Sequence, residues 1–527
     1  MKLKKIISLC LIGAMTVSLL TACGSTETES PTGDNSVSSS DESSTEEVFT
    51  GFKETQTIDI YQMAMYGSDG AEEVVDAINE ISVDAINVKI NYHPLDVASY
   101  IEQMSLMLAG GESADLLLTT AIPNVSFSTM QSQNQLLDIS EYLEYYAPEM
   151  YELTKDYLAA TTVNDAVYAI PCFRYFNSDY YILMRKDILD YLGLTEAAEN
   201  IETWTDFENI MLKVQAAQSE LPEELRTNAM IANSDSQGSI INGCYSNVAA
   251  EKLADAYGFD TLADSSKIIY VNEETNTVEN YFASDDYRAT IERVYRWGQE
   301  GLIYKDAATT ASLGEEIIKN GASFSSVCMA EFGVETLKES EIGYPMVVCK
   351  YAGVPIQSSS ASQWAWAVAT TSENPEAAVA FLNLMYTNKD IENLFVYGIE
   401  GRDYDLNDAG EAVVREDGVY MGDEYFFGNR FNAYPPEGAG ADSREQAWEA
   451  QEAAEISPYF GFAIDTSSIA NEITAVSNVL TKYEPGLESG TLDPSNIDVM
   501  LGEMESAGVQ IILDYYQEEL DAWLAQQ

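Results

Sequence analysis

The chain has 527 residues, 46% of them hydrophobic, and carries 87 acidic against 26 basic side chains, a formal charge of −61. That balance argues against binding nucleic-acid phosphates or anionic lipid headgroups, whose attraction Lys and Arg must supply. A single imidazole, His93, excludes metal sites and catalytic dyads that need two histidines, while the length allows two or three hydrophobic cores.

The N-terminus reads as an address. Lys2, Lys4 and Lys5 precede an apolar run over 6–20, too short to span a bilayer, where about 20 residues are needed. The run breaks at Leu20-Thr21-Ala22-Cys23-Gly24, which resembles the bacterial lipoprotein signal. That resemblance implies removal of residues 1–22 and a lipid on Cys23 as the membrane anchor. Residues 23–57 follow as an acidic, Ser/Thr-rich tether, too polar to offset its ordering entropy; a flexible chain of this length spans about 30 Å. Once Cys10 and Cys23 are set aside, Cys172, Cys244, Cys328 and Cys349 are widely spaced and form no CxxC pair. Zinc and thioredoxin-like chemistry are therefore not expected. Buried free thiols are the leading reading, with a disulfide open to an exported chain.

From residue 58 the pattern becomes regular. Strands are predicted over 58–65, 86–92 and 115–120, and helices over 71–82, 97–109 and 139–146. Gly110-Gly111 supplies the left-handed stop of the second helix. This β-α-β-α-β order predicts an open parallel sheet whose ligands bind beyond the carboxyl ends of its strands, near Tyr66 and Thr120. A second unit opens at Ala169-Ile170-Pro171, with a strand over 180–184 and a helix over 187–192. A capping box, Thr205 to Glu208, is expected at the next helix start. Asn374-Pro375-Glu376 opens a late helix with a cap residue and proline at its first position, and the stretch from 466 onward is mostly helical.

Four landmarks then carry a resemblance over nearly the whole mature chain. They are Tyr168-Ala169-Ile170-Pro171 with the following 181–187 and 203–207 segments; Ile318-Lys319-Asn320-Gly321-Ala322 running to Met329; Ala367-Val368-Ala369 into Ser372-Glu373-Asn374-Pro375-Glu376; and Tyr397-Gly398-Ile399-Glu400-Gly401-Arg402 with the helical end after Phe460-Gly461-Phe462. In these the chain resembles the extracellular solute-binding proteins of ABC sugar importers, the large family that includes the maltose-binding protein, and its end resembles the LipO subgroup. The resemblance implies an α/β, two-lobed periplasmic-binding-protein type II-like fold, each lobe a mainly parallel sheet flanked by helices. Lobe one is expected to comprise 58–170 and about 312–351, and lobe two 171–311 and about 352–455. The crossings would lie near Pro171, Ala311 and Ala352, and a helical region over 456–527 would pack on the lobes. It further implies a carbohydrate ligand between the lobes and, as partners, the transmembrane subunits of an ABC permease with a cytosolic ATPase. The protein is expected to be a monomer on the outer face of the membrane, without cofactor, metal or nucleic acid.

Sugars present C–H faces to aromatic planes and hydroxyls to paired polar groups. By position the candidate contacts are Tyr66, Thr120, Arg174, Tyr175, Phe176, Tyr245, Glu331, Phe332, Trp364, Trp366 and Phe460, each aromatic being open to simple packing as well. Arg174 could fork onto a carboxylate or vicinal hydroxyls of a ligand, or instead form a salt bridge to an acid of the protein itself. The scarcity of basic residues favours a neutral oligosaccharide over an anionic one. A peptide or another small solute remains the alternative cargo, and a surface glycosidase a further one. With 87 carboxylates, paired acids at glycosidase distance are expected by chance. No nucleophile elbow, phosphate loop or HExxH motif occurs, so no enzymatic activity is expected. Asp405, Asn407 and Glu416 sit at calcium-loop spacing, but Ala409 offers no side-chain oxygen at the fifth position, and the segment reads as a turn between strands.

Overall fold

The computed structural model describes residues 48–66, 69–234, 238–241, 251–264 and 267–527. The signal-like start, Cys23, the tether up to residue 47, Cys244 and the candidate contact Tyr245 lie outside the described residues. Ordered packing begins earlier than the expected end of the tether at residue 57. The Phe49 ring meets Phe52 at 5.0 Å and Tyr146 at 5.1 Å, and Gln56 already belongs to the first strand.

Two sheets organise the body. The first has the strand order Val88–Leu95, Gln56–Met63, Leu116–Thr119, Ala365–Val368, Ala169–Pro171. Its first three strands run parallel, and Ala365–Val368 runs antiparallel to both neighbours. Alternation explains the first two strands in that order, where Ile58, Ile60, Val88 and Ile90 turn inward. Leu116, Leu117 and Leu118 are all buried, as in a strand covered on both faces. The intervening helices fall close to expectation. Ala71–Ile86 buries Val74 and Ile78 and ends at Asn87, a left-handed residue whose amide side chain bonds the Phe52 carbonyl. Val97–Gly110 is capped by Asp96, which accepts from the Ser99 amide, and stops at left-handed Gly111.

The second sheet has the order Met346–Ala352, Asp179–Arg185, Ser323–Ala330, Ala229–Ile231. Its central strand is antiparallel to both neighbours, and only the pairing of Ser323–Ala330 with Ala229–Ile231 is parallel. This lobe therefore departs from a mainly parallel sheet, because the segments after 323 and 346 flank Asp179–Arg185 on either side and run against it.

Segment membership also differs from expectation. Ser323–Ala330 was expected to return to the first lobe, yet it sits inside the second sheet. There buried Ser325 and Ser326 donate to the carbonyls of Met230 and Asn233. No crossing occurs near Ala311. Conversely, Ala365–Val368 and the helices Pro375–Thr387 and Lys389–Tyr397 build the first core, where Phe381, Leu382, Met385 and Phe395 join Ile58 and Leu117. The sheets are joined by 172–178 and 353–364, and the chain passes on to the C-terminal region at 454–457. The capping box likewise lies two residues earlier than expected. Thr203 and Asp206 form it, which leaves Glu208 to accept from the Trp297 indole at 2.7 Å.

The C-terminal helices Ala470–Glu488, Asn496–Ala507 and Val509–Leu524 form a third core with the 259–291 segment, through Tyr281, Tyr287, Val476, Met500 and Tyr516. No helix among the described residues is long and apolar enough to cross a membrane. Cys172, Cys328 and Cys349 are free thiols, and burial pushes the Cys172 thiol well above its ordinary pKa. The 405–416 segment is a hairpin, Tyr404–Leu406 against Ala412–Val414, with the Asn407 side-chain Oδ1 accepting from the amides of Ala409 and Glu411.

Candidate functional site

A cavity of about 950 Å³ opens where the sheet-to-sheet crossings run. The first-sheet side contributes Thr120, Phe127 and Trp364, the second-sheet side Tyr180, Met329 and Glu331, and the C-terminal region Phe462, Ile464 and Tyr516. Neutral polar groups make up most of the remaining wall, above all Gln357, Ser359, Ser362 and Gln363 from the last crossing, where the short helix Ser358–Ser362 turns the chain, and Asp264 and Lys267 add charge to it.

Arg174, itself buried, lines the cavity. Its Nη1 donates to Glu331 Oε1 at 3.1 Å and to the Tyr175 carbonyl at 3.0 Å, while Nη2 donates to the Ser360 carbonyl at 3.1 Å and Gln363 Oε1 at 3.3 Å. Of the two readings open for this guanidinium, the structure takes the internal one. Burial pushes its pKa down and Glu331 opposes that shift. Glu331 is the first residue beyond Ser323–Ala330, so the ion pair ties the second sheet to the crossing. Its other oxygen receives Arg430 Nη1 and, at 3.4 Å, the Tyr425 hydroxyl. Arg430 continues to Glu424 Oε1 at 2.5 Å, and Arg444 reaches the same carboxylate. Burial raises the Glu424 pKa, but the two guanidiniums overcome it and hold the group at about 2. Charge is thus consumed inside the protein, and the Tyr425 ring is gripped between Arg430 at 4.3 Å and Arg174 at 5.6 Å.

Of the residues singled out in the sequence, Thr120, Arg174, Phe176, Glu331 and Trp364 line this cavity. Thr120 is buried, its hydroxyl accepting from the Ile122 amide at 3.0 Å, so it shapes the turn after the strand. Trp364 packs on Phe426 with ring centroids 4.6 Å apart. Five others are not brought to it. Trp366 is fully buried in the first core and its indole donates to the Phe426 carbonyl at 3.0 Å. Tyr175 and Phe332 meet edge to face at 6.3 Å beyond the cavity wall, where burial, Asp179 and Glu331 push the Tyr175 phenol up to about 12. Phe460 packs on Tyr157, leaving its neighbour Phe462 to face the cavity. Tyr66 is 61% exposed and lies outside the cavity, with its phenol raised first by burial and then by Asp423 and Glu424.

Sequence reasoning missed Tyr425 and the 357–363 wall. Both had a visible signal. Tyr425-Phe426-Phe427 is an aromatic triplet in a segment without helical or strand period, and Gln357-Ser358-Ser359-Ser360 is a polar run between two apolar segments.

Two α/β lobes with a ring-lined, largely polar cavity where their connections cross define a two-lobed ligand-binding protein. Residues 72–392 match the family model of the bacterial extracellular solute-binding proteins, and the chain belongs to that family. Residues 458–525 match a domain of unknown function, DUF3502. A carbohydrate ABC transporter substrate-binding protein of Streptococcus pneumoniae serotype 4 (strain ATCC BAA-334 / TIGR4) is 20% identical over 467 residues, covering 86% of this chain and 89% of that protein. Among solved structures, the N-glycan transport solute binding protein of Streptococcus pneumoniae is similar at 18% identity, 89% of this chain, 99% of that one and a TM-score of 0.73. An HMO-binding, ABC-transporter-associated solute binding protein from Bifidobacterium longum infantis is similar at 17% identity, 89% and 99% coverage and a TM-score of 0.62. These relatives are transport components, and the structural likenesses establish the fold.

Proposed function

We propose that this protein is the carbohydrate-capturing receptor of an ABC importer, which takes a neutral oligosaccharide in the cavity between its lobes and makes no covalent bond to it. The observation that carries this reading is the chemistry of the cavity wall. The rings of Phe176, Trp364 and Tyr425 stand among hydroxyls and carboxamides, and the Arg174 and Glu331 charges are spent on each other. Ring faces suit sugar C–H surfaces, and neutral donors and acceptors suit hydroxyls that must lose water. In this reading Trp364 and Tyr425 stack on the sugar, buried Phe176 supports the wall behind them, and the amide nitrogen of Gln363 bonds the sugar. Arg174 and Glu331 position those groups. The partners are the transmembrane permease subunits and their cytosolic ATPase, which a monomer would meet on the outer face of the membrane while held by a lipid on Cys23.

Thermal melting against a panel of neutral glycans tests the cargo. A true ligand at 100 times its Kd adds about 2.7 kcal/mol of stability. A panel that leaves the melting temperature unmoved, beside peptides that raise it, rejects the carbohydrate assignment. Incorporation of labelled palmitate, abolished in Cys23→Ser, tests the anchor; equal labelling of the variant rejects it.

A further inference from the structure

A second, smaller chamber of about 360 Å³ adjoins the main cavity and shares the Trp364 and Tyr425 side chains with it. Its remaining wall is Met63, Met65, Val97, Ile122 and Phe426, with one carboxylate, Asp423. The sequence places these at one mouth: Met63 ends its strand, Val97 opens a helix and Ile122 follows the Leu116–Thr119 strand. Asp423 Oδ1 accepts from the Tyr425 amide at 3.0 Å, and no hydrogen bond to Oδ2 occurs among the described residues. Met65, on its wall, is 54% exposed, so the chamber opens to solvent.

We propose that this chamber is a subsite for a methyl-bearing sugar substituent with an adjacent hydrogen-bond donor. An acetamido group has that chemistry, and so does the methyl of a 6-deoxy sugar beside its hydroxyl. The inference rests on the carbohydrate reading above and deepens it. A plain hexose would set its hydroxyls against thioether and hydrocarbon walls and leave them unbonded, at a cost that a methyl group avoids. The methyl fills the space between Met63, Val97 and Ile122, and the neighbouring N–H or O–H donates to Asp423 Oδ2. Because Trp364 and Tyr425 face both spaces, a chain lying on them in the main cavity places its next residue in the chamber.

The test is calorimetric affinity for three neutral oligosaccharides of equal length: one N-acetylated, one carrying a 6-deoxy sugar and one unsubstituted. At least a tenfold preference for a methyl-bearing ligand is expected, and which of the two is preferred identifies the source of the methyl. Val97→Phe, which fills the chamber from a partly exposed first helical turn, should bring that ratio to near one. Asp423→Asn, which turns the acceptor into a donor, should lower it. Equal affinity for all three, or a preference that survives Val97→Phe, overturns the subsite and leaves the carbohydrate reading standing. Binding of none of the three overturns both.

Discussion

Glu331 reaches from the end of a second-sheet strand to Arg174 on the crossing from the first sheet, 3.1 Å away, with both side chains largely buried. The pair matters because Glu331 also receives Arg430, so a single carboxylate is shared by the two guanidiniums that flank the Tyr425 ring. Removing one partner of a buried pair leaves its counterpart uncompensated, which costs about 3–5 kcal/mol. Glu331→Ala is therefore expected to lose that much in urea unfolding, and Glu331→Gln distinctly less. A loss under about 0.5 kcal/mol, the size of an ordinary surface substitution, would show that the pair is peripheral.

Glu424 sets part of the acid limit of stability. Its folded pKa of about 2 lies below the ordinary 4.5, so its contribution is present above pH 4.5 and is lost as pH falls through 2. Glu424→Gln should be less stable than the parent at pH 6, with the gap narrowing as the pH falls. Melting curves taken at intervals from pH 6 to 2 measure the gap. Parallel decline of the two proteins would rule this role out.

Glu392 acts with the opposite sign. Its carboxyl is fully buried beneath the 428–430 segment. Burial raises its pKa to about 8, opposed by the Asn429 amide and Arg444 and reinforced by Glu424. The folded protein therefore holds a proton that the unfolded chain releases near 4.5, and stability is lost as pH rises from 4.5 through 8. Glu392→Gln, which mimics the protonated form, should melt progressively higher than the parent between pH 5 and pH 8.5. A difference that stays constant over that range contradicts the assignment.

The two tryptophans separate binding from folding. Trp364→Ala removes a ring that faces the cavity and should weaken glycan binding at least tenfold with little change in melting temperature. Trp366→Phe strips the donor from the buried Phe426 carbonyl, at a cost of about 1–3 kcal/mol, and should lower stability while a bound glycan keeps its affinity. Calorimetry and thermal melting on both variants give the pattern, and the reverse result exchanges the two roles.

How much of this was legible in the sequence depended on distance along the chain. Periods of two and 3.6 residues and a glycine stop at Gly111 are properties of a few neighbouring residues, and the first-lobe elements followed from them. The order of those elements and the four landmarks led to the two-lobed family. The partner of a strand is a different matter. Ser323–Ala330 and Ala365–Val368 are both short buried runs whose own residues look alike, and they were expected in each other's lobes. Their places are fixed by hydrogen bonds to strands far away, such as Ser325 to Met230 and Thr119 to Ala365. The cavity wall obeys the same rule, since Trp364 and Trp366 differ by two positions yet only one faces the cavity.

By itself, then, the sequence determined the alternating α/β elements, the acidic surface and the family, because propensity, period and composition act locally. Only the tertiary structure decided which segments share a sheet, which rings face the cavity, and that Arg174 is held by Glu331. Those outcomes come from the competition of distant groups for burial and for hydrogen-bond partners, and no window of neighbouring residues contains that competition.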